Sequence, residues 1–419
     1  MTLMKRFLFV WPLLVIVAVS LAAQEPAPPQ GGRGAGRGEG RGGGGRGGRG
    51  GVQIQPGEEC PPNMTEVRPQ SCSAPEFPAP SIVDYRPRTT LVVEQHPVPK
   101  AKYPVVDSHN HTTINATNIE PLVKEMDALN LRVLVNLSGG SDPAAVKQKV
   151  DFIRASKYPD RFRVFANVDW NGADGPGWAE KAVANLEASV KNGAIGLKIA
   201  KNLGLSSRRT DGTRLHVDDP VLKPVWDACA RLNIPVIIHT ADPQEFFSPP
   251  DLKNERWLEL SLFGDRRHYL PGNPAFQELI GERDRMYAAN PKTRFIGAHF
   301  DWYGHNLGKA SQQLDKLPNL VLEVGAVLYD FARQPRAARE FFIKYQDRVL
   351  FGKDSYAASE FPYYWRVFET NDEYFDYYRN YHAFWKLYGM GLPDDVLKKL
   401  YYKNALRVTP GLPKTGWPN

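Results

Sequence analysis

The sequence predicts an α/β fold in which eight parallel strands, each followed by a helix, close into a (β/α)8 barrel. From about residue 103, short apolar runs alternate with amphipathic stretches of helical period, the pattern of parallel βαβ units. Eight such units span about 250 residues, which is the size of a closed barrel. No G-x-G-x-x-G motif follows the first run. This absence disfavours the alternative, an open doubly wound sheet.

The predicted strands are short runs rich in Val, Ile, Leu and Phe. They cover residues 103–107, 132–137, 162–168, 194–199, 234–239, 293–299, 319–325 and 347–353. Helical stretches such as PLVKEMDALN, WAEKAVANLEASVKNG and PVWDACARLN lie between them and end in Asn or Gly, as helix C-termini often do. The aromatic tail FPYYWRVFETNDEYFDYYRNYHAFWKLYG predicts helices that cap the barrel. This C-terminal helical extension also offers a surface for a homodimer.

The N-terminal residues 1–23 predict a secretory signal peptide. Lys5 and Arg6 precede an apolar run, and small residues around Ala22 suit a peptidase. An uncleaved anchor is the alternative, but the run is short for a membrane span. No other stretch is apolar enough to cross a bilayer. We therefore expect an exported protein, periplasmic or secreted, with no stable membrane span after cleavage.

The composition of residues 24–102 predicts a Gly/Arg-rich disordered linker followed by a Pro-rich lead-in. Residues 103–419 form the predicted barrel domain. The segment GGRGAGRGEGRGGGGRGGRGG cannot bury apolar surface, so we expect a solvated spacer; an RNA-binding segment is the alternative. Much of the net charge of +7 lies in this N-terminal part. The charge of the remaining chain therefore gives no indication of a nucleic-acid partner.

The three cysteines suggest a disulfide rather than a thiolate metal site. Cys60 and Cys72 flank a Pro-rich segment, and an exported chain permits a bond between them. Cys229 lies in a helical pattern and is predicted to be a small core residue. The absence of a Cys-x-x-Cys motif argues against a zinc site built from thiolates.

The stretch VVDSHNHTT places three side chains that can bind a metal at the end of the first strand. Because side chains alternate along a strand, Asp107, His109 and His111 can point the same way. A polar turn with incidental histidines is the alternative for this stretch alone.

Polar residues also occur in or at the ends of five later predicted strands. These residues are Lys198, His239, His299, Glu323 and Asp354. The carboxyl ends of barrel strands form one face, so we expect these side chains to converge there.

Neutral imidazoles and a carboxylate form a site for Zn²⁺ or a similar divalent ion, with a position left open for water. Such an ion lowers the pKa of its water to about 7. Asp354 can both approach the metal and accept a proton from this water, while His299 polarises or protonates the substrate. The alternatives are that His299 is a core histidine and that Lys198 reaches solvent or is carboxylated to bridge two metals. Glu323 is expected to support a histidine or lysine.

Together the motifs VVDSHNH, VIIHT, FIGAHFDW and VLFGKDS resemble the amidohydrolase superfamily. The resemblance is closest to its amidohydrolase-2 branch, which includes aminocarboxymuconate-semialdehyde decarboxylase-like enzymes, and it covers roughly residues 103–408. It implies a distorted TIM barrel with one Zn²⁺ ion, another divalent metal being the alternative. The implied metal ligands are His109, His111, His239 and Asp354, with His299 as the catalytic histidine. Lys353 departs from the Thr that usually precedes the aspartate.

The resemblance implies either a hydrolase or a non-oxidative decarboxylase. Our first hypothesis is a metal-dependent hydrolase that cleaves a C–N or C–O bond of a small organic substrate, with His299 steadying the oxyanion. The second is a decarboxylase on the same scaffold, and the third is an exported binding protein without activity. A long connection after His239 carries Arg256 and Trp257, which could dock a carboxylate or aromatic acid; solvated surface is the alternative for both.

Overall fold

The computed structural model describes residues 51–74, 81, 82, 84–382 and 385–418. The predicted signal peptide and residues 31–50 of the Gly/Arg segment lie outside the described residues. The chain divides near residue 80 into two compact units. Among the described residues, no helix combines the length and apolar character that a membrane span requires.

The described part of the first unit is a small antiparallel sheet that the sequence analysis did not predict. Its strands are Val52–Gln53, Thr65–Arg68 and Ser71–Ser73, with the last of them in the middle. Cys60 and Cys72 form a disulfide, which confirms the predicted pairing. The bond links the loop before the second strand to the central strand of the sheet.

The second unit contains the eight predicted parallel strands, which we number β1 to β8. They are Val105–Asn110, Leu131–Asn136, Phe162–Val164, Leu197–Ile199, Val236–Ile238, Phe295–Gly297, Leu320–Glu323 and Val349–Leu350. β1 to β3 pair in chain order, and so do β4 to β8. Parallel bridges between Ala166 and Leu197 and between Asn110 and Asp354 join the two sheets at both edges. The strands therefore close into the predicted TIM barrel.

A helix follows each strand and covers the outside of the barrel. In chain order these helices are Ile119–Leu129, Pro143–Ala155, Trp178–Lys191, Lys223–Arg231, Phe276–Ala289, Leu307–Lys316, Pro335–Lys344 and Phe361–Glu369. The first buries Ile119, Leu122, Val123, Met126 and Leu129, a spacing of three and four residues that places one apolar stripe on the sheet. Asn130 ends this helix in the left-handed conformation (φ 63°), as its sequence predicts.

Shorter helices lie in the connections and after the barrel. They are Asn202–Leu205, Trp257–Leu262, Leu328–Ala332, Asp394–Lys398, the π-helix Lys399–Lys403 and Asn404–Val408. Single 3-10 turns cover Pro220–Leu222, Gln244–Phe247, Gly264–Arg266, Ala298–Trp302, Ala358–Glu360 and Asn380–His382. The helices after β8 form the predicted C-terminal extension.

The aromatic tail is helical only in its first part, so the expectation of helices throughout residues 361–389 was wrong. The helix ends at Glu369, and Phe375–Asp376 pairs with Lys386–Leu387 as a short antiparallel ladder. Phe and Tyr favour strands as well as buried helix faces, and the choice depends on what they pack against. We call residues 375–387 the hairpin; its described residues are 375–382 and 385–387.

Candidate active site

The polar side chains that the sequence singled out lie at the carboxyl-terminal face of the barrel. His109 and His111 belong to the end of β1, and Asp354 forms a bridge with Asn110 beside them. Lys198 lies in β4 and Glu323 at the end of β7, while His239 and His299 follow β5 and β6. A closed parallel barrel brings the ends of all its strands to one face, which explains the convergence.

Three of the four predicted metal ligands come together. One ligand atom from each of His109, His111 and Asp354 lies within 4.8 Å of the other two. Asp354 Oδ1 is 3.3 Å from His109 Nε2 and 3.8 Å from His111 Nε2. Burial opposes ionisation of Asp354, but His109 and His299 hold the pKa of its carboxyl below the ordinary value. An anionic oxygen therefore faces two imidazole nitrogens.

The fourth predicted ligand, His239, lies outside this group and against His299. Its Nδ1 is 3.2 Å from His299 Nε2. Its Nε2 is buried, lacks a hydrogen-bond partner among the described residues and lies 3.6 Å from Asp242 Oδ1. A buried imidazole nitrogen without a partner is costly unless something else binds it. This nitrogen and the donor set of two imidazoles and a carboxylate both fit a divalent metal ion.

Glu323 holds the inner part of the site together. Its carboxylate is fully buried and accepts hydrogen bonds from His109 Nδ1 at 2.8 Å, His299 N at 2.7 Å and Gly325 N at 2.7 Å. The bond to Nδ1 fixes the tautomer of His109 and leaves Nε2 facing Asp354. Gly352 makes room for this carboxylate, because a Cβ at that position would lie 2.2 Å from Glu323 Oε2.

Lys198 reaches the same histidine from β4. Its Nζ donates to His109 Nε2 at 3.0 Å, and its side chain is buried rather than extended to solvent. Burial lowers the pKa of Lys198 to about 8, while Asp354 and Glu323 oppose that change. The ammonium group is therefore part of the site's charge balance.

His299 lies on a strained turn. Residues 299–302 have φ between 50° and 57°, the left-handed region that non-glycine residues rarely adopt. Asp301 anchors this turn by accepting hydrogen bonds from Tyr287 Oη at 3.1 Å and Gln313 Nε2 at 3.0 Å. The turn stacks the Trp302 ring on His299, with centroids 4.7 Å apart. Such strain is often found where side-chain direction matters for function.

Two conspicuous residues of the strand-end motifs support the backbone instead of the reaction. Asp107 is buried and accepts from the amides of His109 at 3.2 Å and Lys353 at 3.0 Å, which joins β1 to β8. Lys353, the departure from the family pattern, turns away from Asp354. It forms an ion pair with Glu360, and its side chain is fully buried. Lys353 therefore leaves the Asp354 carboxylate free to face His109 and His111.

The site opens into a cavity of about 700 Å³. His239, His299, Trp302 and Asp354 lie on its wall. Much of the remaining wall comes from the long connection after β5, which contributes Asp242, Phe246, Arg256, Glu259, Asp265 and Arg266. The hairpin adds Tyr378, Arg379, Asn380 and Tyr381. The long connection therefore has the position expected of a functional loop.

Sequence reasoning missed a cluster around Asp242. This carboxylate accepts from Lys201 Nζ at 2.7 Å and lies 2.6 Å from His268 Nε2. The spacing of Asp242, three residues after His239, is a signal that could have identified it, whereas its two partners come from distant turns. Burial opposes ionisation, yet His239 and His268 lower the pKa of the Asp242 carboxyl.

The expectation that Arg256 and Trp257 dock the substrate needs correction. Arg256 lines the cavity, but it is buried and its NH1 donates to Glu259 Oε2 at 2.7 Å and His382 Nε2 at 3.0 Å. Its guanidinium is therefore already held by a carboxylate, which it shares with Arg266. Trp257 does not line the cavity and is 36% exposed. His382, which the sequence analysis did not single out, positions this guanidinium.

A family model described as Amidohydrolase (Amidohydro_2) matches residues 150–410, more than half of the chain. The chain belongs to the Amidohydro_2 family. The match contains β3 to β8 and thus His239, His299 and Asp354, whereas His109 and His111 precede it. The membership makes this amidohydrolase a metal-dependent enzyme, either a hydrolase or a decarboxylase. A search of curated proteins found no significant match.

Several solved structures match the chain at low sequence identity and with TM-scores below 0.5. A dihydroxybenzoic acid decarboxylase from Polaromonas sp. JS666, with bound manganese and the inhibitor 2-nitroresorcinol, is 15% identical, with 73% of this chain and 96% of that chain covered and a TM-score of 0.47. A 5-carboxyvanillate decarboxylase from Sphingomonas paucimobilis is 15% identical, with 73% of this chain and 99% of that chain covered and a TM-score of 0.41. A 4-oxalomesaconate hydratase from Rhodopseudomonas palustris is 14% identical, with 74% of this chain and 96% of that chain covered and a TM-score of 0.44.

Proposed function

We propose that this amidohydrolase cleaves a C–N or C–O bond of a small organic acid by hydrolysis, with one bound Zn²⁺ ion. The convergence of His109, His111 and Asp354 within 4.8 Å carries the proposal, because two imidazoles and a carboxylate are a typical ligand set for catalytic zinc. Other divalent ions accept the same ligands, so the choice of zinc is part of what has to be tested.

The ligands that we assign to the ion are His109, His111, Asp354 and, as the fourth, His239. The buried Nε2 of His239 supports its inclusion, since it lacks a hydrogen-bond partner in the described part of the chain. A bound divalent ion supplies a Lewis acid that acidifies water and polarises a carbonyl group at neutral pH. Glu323 orients His109 for this role through the contact with Nδ1.

We assign proton transfer to His299 and Asp354. The carbonyl oxygen of Gly325 lies 2.8 Å from His299 Nδ1, and a carbonyl can only accept, so Nδ1 carries the proton. The neutral ring then has a lone pair at Nε2 and accepts a proton. Burial favours this neutral form and lowers the pKa of His299 to about 4. This assignment replaces our expectation that His299 steadies an oxyanion, because Nε2 has no proton to donate.

In the proposed hydrolysis, the oxygen of water bonds to the carbonyl carbon and its proton moves to His299 or Asp354. The same proton then passes to the nitrogen or oxygen that leaves when its bond to carbon breaks. Decarboxylation, the alternative on this scaffold, requires a protonated group that delivers a proton to carbon. The unprotonated Nε2 of His299 is poorly suited to that step, and for this reason we prefer hydrolysis.

Metal exchange combined with a product assay tests the proposal. The purified chain is stripped with a chelator, reloaded separately with zinc, manganese or iron, and assayed on lactones, amides and esters of small acids while CO₂ is monitored separately. We expect zinc to restore hydrolysis without CO₂ release. Release of CO₂ from acid substrates without hydrolysis would favour the decarboxylase, and failure to bind any of these metals would contradict both reactions.

We further propose that the enzyme is exported and works in the periplasm or outside the cell. The signal-like residues 1–23 support this, and a disulfide between Cys60 and Cys72 is typical of oxidising compartments. Cell fractionation with N-terminal sequencing of the mature chain tests the proposal. A mature chain that begins at Met1 and stays in the cytoplasm would contradict it.

A further inference from the structure

Four cationic side chains line the active-site cavity, and three of them already form ion pairs with carboxylates. Arg256 and Arg266 both pair with Glu259, and Lys201 pairs with Asp242. Each of these carboxylates lies in the wall of the same cavity. All three cations are therefore held by a carboxylate of the wall, although Arg256 and Arg266 share one, and they are poorer candidates for holding a charged substrate than an unpaired cation.

Arg379 is the exception. Within the described ranges, no carboxylate lies within ion-pair distance of its guanidinium, which also donates no hydrogen bond. Its surroundings are aromatic, with the Tyr378 ring centroid 5.6 Å from its Cζ. Burial opposes its charge, but the neighbouring Tyr377 and Tyr378 keep the pKa of Arg379 well above its ordinary value. A cation–π contact offsets only part of the cost of burying such a group.

Two more donors next to Arg379 lack acceptors. The hydroxyl groups of Tyr377 and Tyr378 are buried beside each other, and neither makes a well-directed hydrogen bond with the part of the chain that the structure describes. A hydroxyl and a guanidinium can both donate, and here neither finds an acceptor. Buried donors without acceptors are uncommon in proteins and usually indicate a ligand, water or ion. Of these groups, Arg379 and Tyr378 line the active-site cavity, and a ligand that satisfies both has anionic oxygens.

The position of this cluster relates it to the reaction. Arg379 and Tyr378 lie on the hairpin and line the same cavity as His239, His299 and Asp354. The stacked rings of His299 and Trp302 and the Tyr329 ring provide flat surfaces along this cavity. A small acid can therefore place its reacting bond at the barrel mouth while its charged end reaches the hairpin.

We propose that Arg379, with the hydroxyl of Tyr378, binds a carboxylate of the substrate and so determines specificity for acids. The inference rests on the proposed function, whose metal ligands lie elsewhere on the cavity wall. The planar guanidinium matches the two oxygens of a carboxylate, and its single unpaired charge balances one carboxylate. A phosphate dianion would need a second unpaired cation, and the other cavity cations are paired.

Binding to the metal-free protein tests the subsite separately from catalysis. The full chain is stripped of metal, and the affinities for benzoate and for its neutral analogue benzamide are measured by calorimetry. We expect the wild type to prefer benzoate and Arg379→Gln to bind benzoate roughly 10- to 100-fold more weakly, with benzamide unchanged. Arg285→Gln is the matched control, because Arg285 is 65% exposed and pairs with Asp218 away from the cavity.

Further variants keep the test decisive. Arg379→Lys retains the charge without the planar fork and should bind benzoate with intermediate affinity, while Tyr378→Phe should weaken benzoate binding severalfold. Equal benzoate affinity in wild type and Arg379→Gln would overturn the proposal, as would tighter binding of inorganic phosphate than of benzoate at this site. Circular dichroism identifies any variant that is unfolded. If the wild type binds benzoate as expected but shows no hydrolysis after reloading with metal, the proposed function is contradicted and this subsite is not.

Discussion

Glu323 Oε1 lies 2.8 Å from His109 Nδ1 at the centre of the barrel, where both side chains are fully buried. A carboxylate behind a metal-binding histidine fixes the tautomer and the orientation of the ring, and its removal typically lowers metal affinity 10- to 100-fold. We therefore predict that Glu323→Gln binds zinc about 10- to 100-fold more weakly, as measured by competition with a chromophoric chelator. Unchanged zinc affinity would show that His109 is not a metal ligand.

His299 and His239 should respond differently to replacement by alanine, although their rings are in contact. His299→Ala should keep its metal and lose about 10²- to 10⁴-fold in turnover, because it removes a proton acceptor. His239→Ala should lose metal affinity as well. Metal content by mass spectrometry and the rate of hydrolysis distinguish the two outcomes. Loss of metal from His299→Ala would make His299 a ligand and overturn its assigned role.

Gly297 should be required by the turn that carries His299. A Cβ at this position would lie 2.4 Å from Asp301 Cγ, in the buried group that anchors the turn. We expect Gly297→Ala to lower the free energy of unfolding by roughly 1–3 kcal/mol in urea titrations. Gly308→Ala is the control, because a Cβ added at this position would have no neighbour closer than 3.5 Å. Gly308 lies in a helix, so this change should raise the free energy of unfolding by a few tenths of a kcal/mol or more.

His382 should make folding stability depend on pH. Burial lowers its pKa to about 4, and the nearby Glu259 carboxylate opposes that shift only in part. Between pH 6.5 and 4 the unfolded chain binds a proton that the folded chain does not, so stability is lost as the pH falls, by up to about 1.4 kcal/mol per pH unit. Urea midpoints at pH 7 and pH 5 should differ less for His382→Asn than for the wild type. An equal difference would mean that His382 does not contribute.

The Gly/Arg segment should be dispensable for catalysis. Deletion of residues 31–51 from the mature chain should leave hydrolysis and zinc content unchanged, because the predicted ligands all lie beyond residue 103. Steady-state kinetics of the shortened and complete chains provide the comparison. An inactive shortened chain with intact zinc would show that the segment contributes to substrate binding or assembly.

Local patterns predicted the barrel well, because strands and helix ends are determined by residues that are close together in the sequence. The apolar runs and the helix-ending residues Asn130 and Asn233 are examples. The same logic placed His109, His111 and Asp354 at one face. It could not predict the hairpin, whose aromatic residues are compatible with either a helix or a strand until they pack. It also could not predict that Asp242 lies beside His268, since that contact joins distant turns.

The most direct test of the metal site is an anomalous-scattering map at the zinc edge from crystals of the zinc-loaded enzyme. We predict one peak at about 2.0–2.2 Å from nitrogen atoms of His109 and His111 and an oxygen of Asp354, with His239 completing the set. No peak at these residues, or a zinc peak found only at another cluster such as His216 with Glu278 and Glu282, would contradict the account.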